Sequence, residues 1–188
     1  LLPRLRRIVR QVSGELDKQV RFDVGDAEGE MDRSVLERMV APLEHMLRNA
    51  IDHGLESAEE RRAVGKPQEG RISLSMVHEG GDIVIEMRDD GGGIDLGAVR
   101  RKAIKRGLME ADAELSDYEL LQFILQAGFS TAEKVTQISG RGVGMDVVHA
   151  EVKQLGGSMV IDSTPGQGTC FQIRLPFTVS VNRALMVQ

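Results

Sequence analysis

The chain has 188 residues, of which 41% are hydrophobic and 28% charged, and this composition fits one globular domain with a sizeable core. A net charge of −5, one Tyr and no Trp supply neither the basic surface nor the stacking rings that proteins use to bind nucleic acid. The sequence contains no run of 18 apolar residues, so a membrane span is also excluded.

Two further features of the sequence concern the cellular compartment and the extent of the chain. Cys170 is the single cysteine and lies in a strand-like run, so it is predicted to be a core residue in a reducing compartment, which indicates the cytoplasm. The chain opens on Leu1 rather than Met, and we therefore expect it to be a piece of a larger protein.

The first half of the chain begins with apolar and basic residues at helical spacing over 1–16, followed by a short predicted strand over 20–24. Asp32 is a suitable N-cap for a long helix from Arg33 to about Asp52. An apolar stripe at helical spacing predicts that one side of this helix is buried. The stripe comprises Leu36, Met39, Val40, Leu43, Met46, Leu47 and Ala50.

The middle of the chain alternates helix and strand signals. A short helix is predicted over 57–65, and two alternating strands over 71–90 are joined at Gly80-Gly81, a hairpin signal. Two further helices are predicted over 95–106 and 116–125. The residues predicted to cap these three helices are Ser57, Asp95 and Ser116.

The last third starts with a turn-rich segment over 126–142 that leads into a predicted helix over 143–155. Two strands, 158–163 and 168–176, follow and are joined through 164–167. Because the strand pairs are hairpins rather than parallel crossovers, the sequence favours an α+β fold. We expect a helical layer on one face of a mainly antiparallel sheet.

The long helix carries a polar side as well as an apolar one. At about 100° per residue, His45, Asn49, Asp52 and His53 fall opposite the apolar stripe. A solvated surface explains most such faces, but Asn is a poor residue for a helix interior. Asn, Asp and His at this spacing can also present oxygen and nitrogen atoms to a phosphate-bound divalent cation.

Two glycine-rich stretches follow this helix. RDDGGGID (88–95) comes directly after a strand, where Asp89 could accept a hydrogen bond from an amino group and glycines allow close approach of a ligand. A flexible acidic turn explains the same letters equally well. SGRGVGMDVV (139–148) runs into a helix whose backbone N–H groups could hold phosphate, although such a loop is often only a helix cap.

Between the two stretches lies a segment that could cover a ligand. Gly128 to Thr131, with Lys134, could close over a nucleotide, the glycine acting as a hinge. The basic run before it has a solvated helix face as its ordinary interpretation. That run consists of Arg100, Arg101, Lys102, Lys105 and Arg106.

In their order, these motifs resemble the histidine-kinase-like ATP-binding fold shared by gyrase B, Hsp90 and MutL. The residues that carry the resemblance are Asn49, Asp89, Gly91, Gly93, Gly140, Gly142, Gly144, Gly166, Gly168 and Thr169. RNAIDHGLE, DDGGGID, GFST, SGRGVGMDVV and LPFTVSVNRAL are closer still to the catalytic domain of chemotaxis-type (CheA-like) histidine kinases, over essentially the whole chain. The resemblance implies a two-layer α/β sandwich of the Bergerat type, with helices on one face of a mixed sheet.

The resemblance also implies roles, with ATP and Mg²⁺ as ligands. Asp89 would bind the adenine amino group, Gly93 would shape that pocket, and Thr169 would bond nearby through water. Asn49 would coordinate Mg²⁺ held by the triphosphate, and His45 would join it as a metal ligand or as the catalytic polar group near the γ-phosphate. The other implied nucleotide-binding residues are Asp52, His53, Gly91, Ile94, Lys102, Ser130, Thr131, Lys134, Gly140, Arg141, Gly142, Val143, Gly144 and Met145.

The implied activity is transfer of the γ-phosphoryl group to a histidine on a separate phosphotransfer domain. Implied partners of the full-length homodimer are a coupling protein, chemoreceptors and response regulators. His45 stands where ATP-hydrolysing relatives carry a Glu, so weak hydrolysis is expected. A non-catalytic ATP-sensing module and a conformational ATPase of the same fold are the alternatives.

The domain organisation implied by the resemblance divides the chain once. Residues 1–178 would form the catalytic domain, with a mobile ATP lid over about 95–142. Residues 179–188 would begin the connection to a regulatory domain.

Overall fold

The computed structural model describes residues 2–27, 33–129 and 144–176. Its helices are α1 (Leu2–Glu15), α2 (Arg33–Asn49), α3 (Ala58–Ala63), α4 (Leu96–Lys105), α5 (Asp117–Gln122) and α6 (Met145–Gln154), with a π turn at Ala50–Gly54 and a 3₁₀ turn at Phe123–Leu125. Its strands are β1 (Val20–Ala27), β2 (Gly70–Glu79), β3 (Asp82–Asp89), β4 (Ser158–Thr164) and β5 (Gly168–Pro176). The predicted N-cap Asp32 and the predicted connection over 179–188 lie outside these ranges.

The described strands form one five-stranded sheet in the order β1-β2-β3-β5-β4. Both predicted hairpins are confirmed: Glu79 pairs with Asp82 across the Gly80-Gly81 turn, and Thr164 pairs with Gly168. β1 is longer than predicted and pairs with β2 in parallel, because α2 and α3 separate the two strands and form a crossover connection. The sheet is therefore mixed and mainly antiparallel, as predicted.

The helices cover one face of the sheet. Inward-facing residues alternate along the strands, as with Ile83, Ile85 and Met87 in β3, and they pack against apolar residues of the helices. The predicted stripe of α2 is buried at Met39, Leu43, Met46, Leu47 and Ala50. Buried contributions also come from α1 (Leu5, Val9, Val12) and α6 (Val148, Val152). The two-layer arrangement is confirmed.

Helix caps follow the sequence closely. The side chain of Ser57 accepts a hydrogen bond from the backbone N–H of Glu60, and that of Asp95 accepts one from Ala98. Ser116 forms a full capping box with Glu119. All three predicted N-caps are confirmed, because capping depends on atoms three residues away at most.

Cys170 does not belong to the core. It is half-buried on the face of β5 that points away from the helices, opposite Asp162 of β4 and Arg88 of β3. The inward positions of β5 are the neighbouring Thr169 and Phe171. Burial and the nearby carboxylate of Glu86 raise the pKa of the Cys170 thiol to about 11. The prediction of a core position was wrong because the period of a strand was read without its phase.

The long helix ends differently from the prediction. α2 stops at Asn49, and residues Ala50–Gly54 form a π turn closed by a hydrogen bond of 2.7 Å from the Leu55 N–H to the Ala50 carbonyl. The Lys18 ammonium donates to the carbonyls of Ile51, Asp52 and Leu55 at 2.6–2.9 Å. These bonds satisfy carbonyl groups that a helix end leaves open. Residues after Asn49 therefore depart from the 100° spacing used to predict their direction.

A second hydrophobic cluster lies around α4. It is made of Val99, Ala103, Met109, Leu120 and Phe129. Partly buried Ile94, Leu96 and Ile124 contact both this cluster and the main core. The described part of the predicted lid, 95–129, is thus built from helices with a small core of their own.

Candidate functional site

Asp89 is the centre of the site. It is the last residue of β3 and only 5% exposed, on the inward side that Ile83, Ile85 and Met87 define. Its Oδ1 accepts a hydrogen bond of 2.9 Å from the backbone N–H of Gly91. Asp89 and Arg61 are the charged side chains that are buried in the described ranges. Burial of a carboxylate without a charged partner costs stability, so its presence here points to a function.

The surroundings of Asp89 raise the pKa of its carboxyl group, so the group stays protonated to a higher pH than usual. Burial raises the pKa of the Asp89 carboxyl to about 6, although hydrogen bonds from the backbone N–H groups of Gly91 and Thr169 lower it. The nearby charges of Asp90 and Glu56 raise it further. Above pH 6 the site therefore holds a poorly solvated acceptor, which a ligand amino group would satisfy.

Three glycines leave room around this carboxylate. A Cβ on Gly54 would lie 3.0 Å from Asp89 Oδ2, and one on Gly91 would lie 1.9 Å from the Gly54 carbonyl oxygen. A Cβ on Gly168 would lie 1.9 Å from the Asp89 carbonyl oxygen. The Gly92 N–H donates to the Gly54 carbonyl at 3.1 Å. Three backbone segments therefore meet at Asp89, and they can do so only because no side chain intervenes. They are the end of the π turn, the residues after β3 and the start of β5.

The Ser163 hydroxyl connects the end of the glycine loop to the hairpin formed by β4 and β5. Gly93 has φ +80°, and a Cβ there would lie 2.7 Å from the Thr164 carbonyl oxygen. The Ser163 hydroxyl accepts from the Ile94 N–H at 2.9 Å and lies 3.1 Å from the hydroxyl of the buried Thr169. Of the predicted residues, Gly91 and Thr169 thus bind Asp89 through their backbone N–H groups, and Gly93 and Ile94 lie against Thr164 and Ser163 of the neighbouring hairpin. Ser163 was missed, although its pairing with Thr169 follows from the hairpin register.

The predicted residues of the long helix occupy its last two turns. His45 and Asn49 are half-buried and lie one turn apart in α2, and Asp52 and His53 belong to the π turn. His53 is exposed, and its Nε2 lies 3.5 Å from Asp52 Oδ2. The Asp52 side chain is only 11% exposed and acts electrostatically on Lys18. Asp52 thus interacts with Lys18, the residue whose ammonium binds the carbonyls of the π turn.

The second glycine stretch is described only from its last glycine onward. Gly144 is the N-cap residue of α6, without a side-chain cap, and Met145 is the first helical residue and buried. Asp146 Oδ2 accepts from the Gly128 N–H at 3.0 Å, which ties the start of α6 to the chain before residue 130. The predicted residues Ser130, Thr131, Lys134, Gly140, Arg141, Gly142 and Val143 lie outside the described residues.

Lys102 and Phe129 lie together at the base of the predicted lid. Phe129 is 2% exposed, and the Lys102 ammonium and the Arg106 guanidinium each lie 5.7 Å from the centre of its ring. Phe123 stacks on the same ring at 6.4 Å. Lys102 therefore contacts an aromatic residue of the α4 cluster, which the sequence-based assignment to the nucleotide did not include.

An ionic network centred on the buried Arg61 lies beneath the glycine loop and was not predicted from the sequence. Arg61 Nη1 and Nη2 bind Glu56 at 3.0 Å and Asp90 at 3.1 Å, and Lys66 Nζ binds Glu56 at 2.6 Å. Arg61 is 1% exposed. On sequence alone α3 reads as a solvated helix rich in charge, and nothing in its spacing reveals that it lies against the loop.

Within the described ranges, no group of three or more His, Cys, Asp or Glu side chains is arranged to hold a metal ion. None of the helices there has the length and apolar character required to span a membrane.

Comparison with known proteins identifies the family. The family model described as "Histidine kinase-, DNA gyrase B-, and HSP90-like ATPase" matches residues 38–179. Chemotaxis protein CheA of Rhizobium meliloti (strain 1021) is 48% identical over 98% of this chain, and sensor histidine kinase CheAY of Helicobacter pylori is 44% identical over 96%. The chain spans about a quarter of the length of these relatives, 24% and 23% respectively.

Solved structures agree at the level of the fold. The mycobacterial sensor histidine kinase MprB aligns with a TM-score of 0.53 and 19% identity, and the alignment covers 93% of both chains. A histidine kinase domain from Erythrobacter litoralis EL346 aligns with a TM-score of 0.52 over 93% of this chain and 59% of that one. With the family match over residues 38–179, the chain belongs to the histidine kinase-, DNA gyrase B- and HSP90-like ATPase family.

Proposed function

We propose that this chain is the ATP-binding catalytic domain of a chemotaxis-type histidine kinase, which transfers the γ-phosphoryl group of Mg-ATP to a histidine on a phosphotransfer domain. The observation that carries the proposal is the buried carboxylate of Asp89, which is surrounded by three glycine positions where any side chain would close the space. The family match and the CheA-named relatives support the choice of ATP and of kinase chemistry.

Asp89 and its neighbours would select and orient the base. Its carboxylate already accepts from the Gly91 N–H, and its other oxygen faces the space beside Gly54. An exocyclic amino group could donate to that oxygen, and a buried acceptor of this kind discriminates strongly against ligands that lack the donor. Thr169, linked to Ser163, would provide a second polar contact at the same end.

Asn49 and His45 would interact with the triphosphate of the nucleotide and its Mg²⁺. Mg²⁺ is commonly held by one or two protein side chains together with substrate phosphates rather than by a complete protein cage. Asn49, the last residue of α2, carries one amide oxygen and would supply one such ligand. When bound, the ion would neutralise charge on the β- and γ-phosphates. The uncapped N-terminus of α6 at Gly144 would contribute backbone N–H groups.

The position of Glu44 and its ion pair with Arg4 disfavour hydrolysis of ATP, and this leaves transfer to a protein acceptor as the expected reaction. A water-activating carboxylate would be expected four residues before Asn49, but that position is His45. Glu44, the nearest carboxylate in sequence, binds Arg4 Nε at 2.7 Å and is only 18% exposed. Glu44 lies about 100° around α2 from His45 and pairs with Arg4, so no carboxylate occupies the position of a water-activating base, and we expect slow hydrolysis.

The wider setting follows from the same proposal. Residues 1–178 would form the catalytic domain, with a lid over about 95–142, and residues 179–188 would lead to a regulatory domain. The full-length protein would act in the cytoplasm as a homodimer with a coupling protein, chemoreceptors and response regulators. Their identity depends on the rest of the protein.

A transfer assay tests the proposal against its alternatives. The chain would be incubated with Mg²⁺ and γ-labelled ATP, with and without an added histidine phosphotransfer domain from a CheA relative. Acid-labile label on the added domain is the expected result. Phosphate release without the acceptor would instead indicate a conformational ATPase, and ATP binding with neither outcome would indicate a sensing module.

Replacing Asn49 with alanine should separate binding from transfer. Removing the amide oxygen takes away a metal ligand while leaving the base pocket intact, so ADP binding should fall by no more than about tenfold and transfer by at least about 100-fold. Calorimetry and the transfer assay measure the two effects. Gln154→Ala, which removes an exposed amide at the end of α6, is the matched control. Unchanged transfer by Asn49→Ala would contradict the Mg²⁺ assignment.

A further inference from the structure

Lys66 makes three contacts that converge on the site. Its ammonium donates to Glu56 Oε2 at 2.6 Å and to the backbone carbonyls of Asp90 and Gly91, each at 3.0 Å. These carbonyls directly follow Asp89 in the chain. An ammonium group has three donors, and all three are used. Lys66 lies outside α3 and β2, and its contact with α3 is made by its backbone N–H, which donates to the Arg61 carbonyl at 2.9 Å, so replacing the side chain leaves that bond in place.

Arg61 and Glu56 hold Lys66 and the loop in place. Arg61 Nη1 also donates to the Asp90 carbonyl at 3.2 Å, and its Nε donates to the Pro67 carbonyl at 2.7 Å. Burial alone would raise the pKa of the Glu56 carboxyl, but the hydrogen bond from Lys66 and the charge of Arg61 hold it below its usual range. Glu56 is therefore ionised and bound on both sides at neutral pH.

The network fixes the segment from which Asp89 takes its orientation. The Gly91 N–H that binds Asp89 Oδ1 belongs to the residue whose carbonyl Lys66 holds. The next residue, Gly92, donates to Gly54. Displacing Gly91 would therefore change both the hydrogen bond to the carboxylate and the contact with the π turn. Glycine-rich backbone has little stiffness of its own, so the bonds to Lys66 limit how far the loop can shift.

We propose that Lys66 is a positioning residue that gives the site its selectivity for adenine over guanine, acting through the Asp90–Gly91 carbonyls on Asp89. This inference rests on the proposed function. With the loop fixed, the carboxylate faces one donor position, which the adenine amino group occupies and the guanine carbonyl oxygen does not. With the loop loosened, the carboxylate can shift to accept from the N–H groups of guanine, so adenine binding weakens and discrimination declines.

The test compares three ligands on the intact chain. Calorimetry would measure the Kd of ATP, of GTP and of Mg-tripolyphosphate, which has no base, for wild type and Lys66→Met. We expect the Kd of ATP to rise about tenfold, the ratio of GTP to ATP Kd values to fall by a similar factor, and the Kd of tripolyphosphate to change less than about twofold. Lys153→Met removes an exposed lysine at the end of α6 and should change none of the three.

Glu56→Gln provides a second variant that keeps the shape of the network and weakens its charge. It should shift the GTP-to-ATP ratio in the same direction by a smaller factor. The folded fraction of each variant at the assay temperature would be confirmed by circular dichroism. Equal weakening of all three ligands, or an unchanged GTP-to-ATP ratio, would assign Lys66 a merely structural role. Failure of the wild-type chain to bind ATP would instead overturn the proposed function itself.

Discussion

Replacing Asp89 with asparagine is expected to abolish ATP binding and, at the same time, to stabilise the nucleotide-free domain at neutral pH. The amide presents N–H donors where the adenine amino group needs an acceptor, so binding should weaken by at least about 100-fold. Stability should rise because the substitution removes a carboxylate that is buried and ionised above pH 6. Both effects arise from the same side chain.

The sign of the stability effect follows from the pKa of Asp89. The folded-state value of about 6 lies above the ordinary 3.8, so the native state binds the proton more tightly than the unfolded state. Between these two values the wild type loses stability as the pH rises, and asparagine does not. The advantage of Asp89→Asn should therefore grow by about 2 kcal/mol between about pH 4.5 and pH 8.

Urea unfolding at several pH values and calorimetric ATP titration measure the two effects. Asp162→Asn, which removes an exposed carboxylate on β4, is the matched control and should change neither. ATP affinity within about threefold of wild type would rule out Asp89 as the adenine acceptor. A stability gain that does not vary with pH would show that the Asp89 carboxyl titrates normally.

The second large effect is expected within the triple-glycine loop itself. Alanine at position 91 would place a Cβ 1.9 Å from the Gly54 carbonyl oxygen and 2.9 Å from Asp89 Oδ1. The loop has to move away, which breaks the bonds from Gly91 and Gly92 to Asp89 and Gly54. We expect a loss of about 2–4 kcal/mol in the free energy of unfolding and no detectable ATP binding.

Gly92 supplies the matched control for this prediction. A Cβ there would lie 3.9 Å from Glu56 Cγ, an ordinary contact, and Gly92 does not have a positive φ. Gly92→Ala should therefore stay within about 1 kcal/mol of wild type and bind ATP normally. Urea melts and calorimetry on the two variants measure the difference. Similar behaviour of Gly91→Ala and Gly92→Ala would contradict the geometry described for the loop.

The parts of the fold that follow from neighbouring residues could be predicted from the sequence. The caps Ser57, Asp95 and Ser116 depend on atoms within one helical turn, and the two hairpins depend on short turns between alternating strands. The parallel pairing of β1 could not be predicted in this way, because it joins Val20 to Gly70 across two helices. No local pattern encodes that distance.

The residues of the site show the same difference between local features, which could be predicted, and non-local ones, which could not. Asp89, Gly91, Gly93, Ile94 and Thr169 were predicted from a resemblance in motif order, and the structure connects them in one network of contacts. Gly54, which lies against the Asp89 carboxylate, was not predicted as a site residue. The supports of the site are non-local: Lys18 reaches the π turn from 33–37 residues away, and Lys66 reaches the loop from 24–25 residues away. In sequence both are ordinary lysines among many. Their function depends on which carbonyl groups the fold brings within reach.

The small core around α4 has a thermodynamic consequence. Val99 and Ala103 pack into a cluster that shares only a few partly buried residues, such as Ile94 and Leu96, with the main core. Regions with separate buried contacts can open separately, so the domain should unfold in two cooperative units. Amide hydrogens of α4 should then exchange through a partial opening that leaves β3 protected, and one common exchange free energy for both would disprove this. A single melting temperature would therefore describe the unfolding of the sheet but not the separate opening of α4.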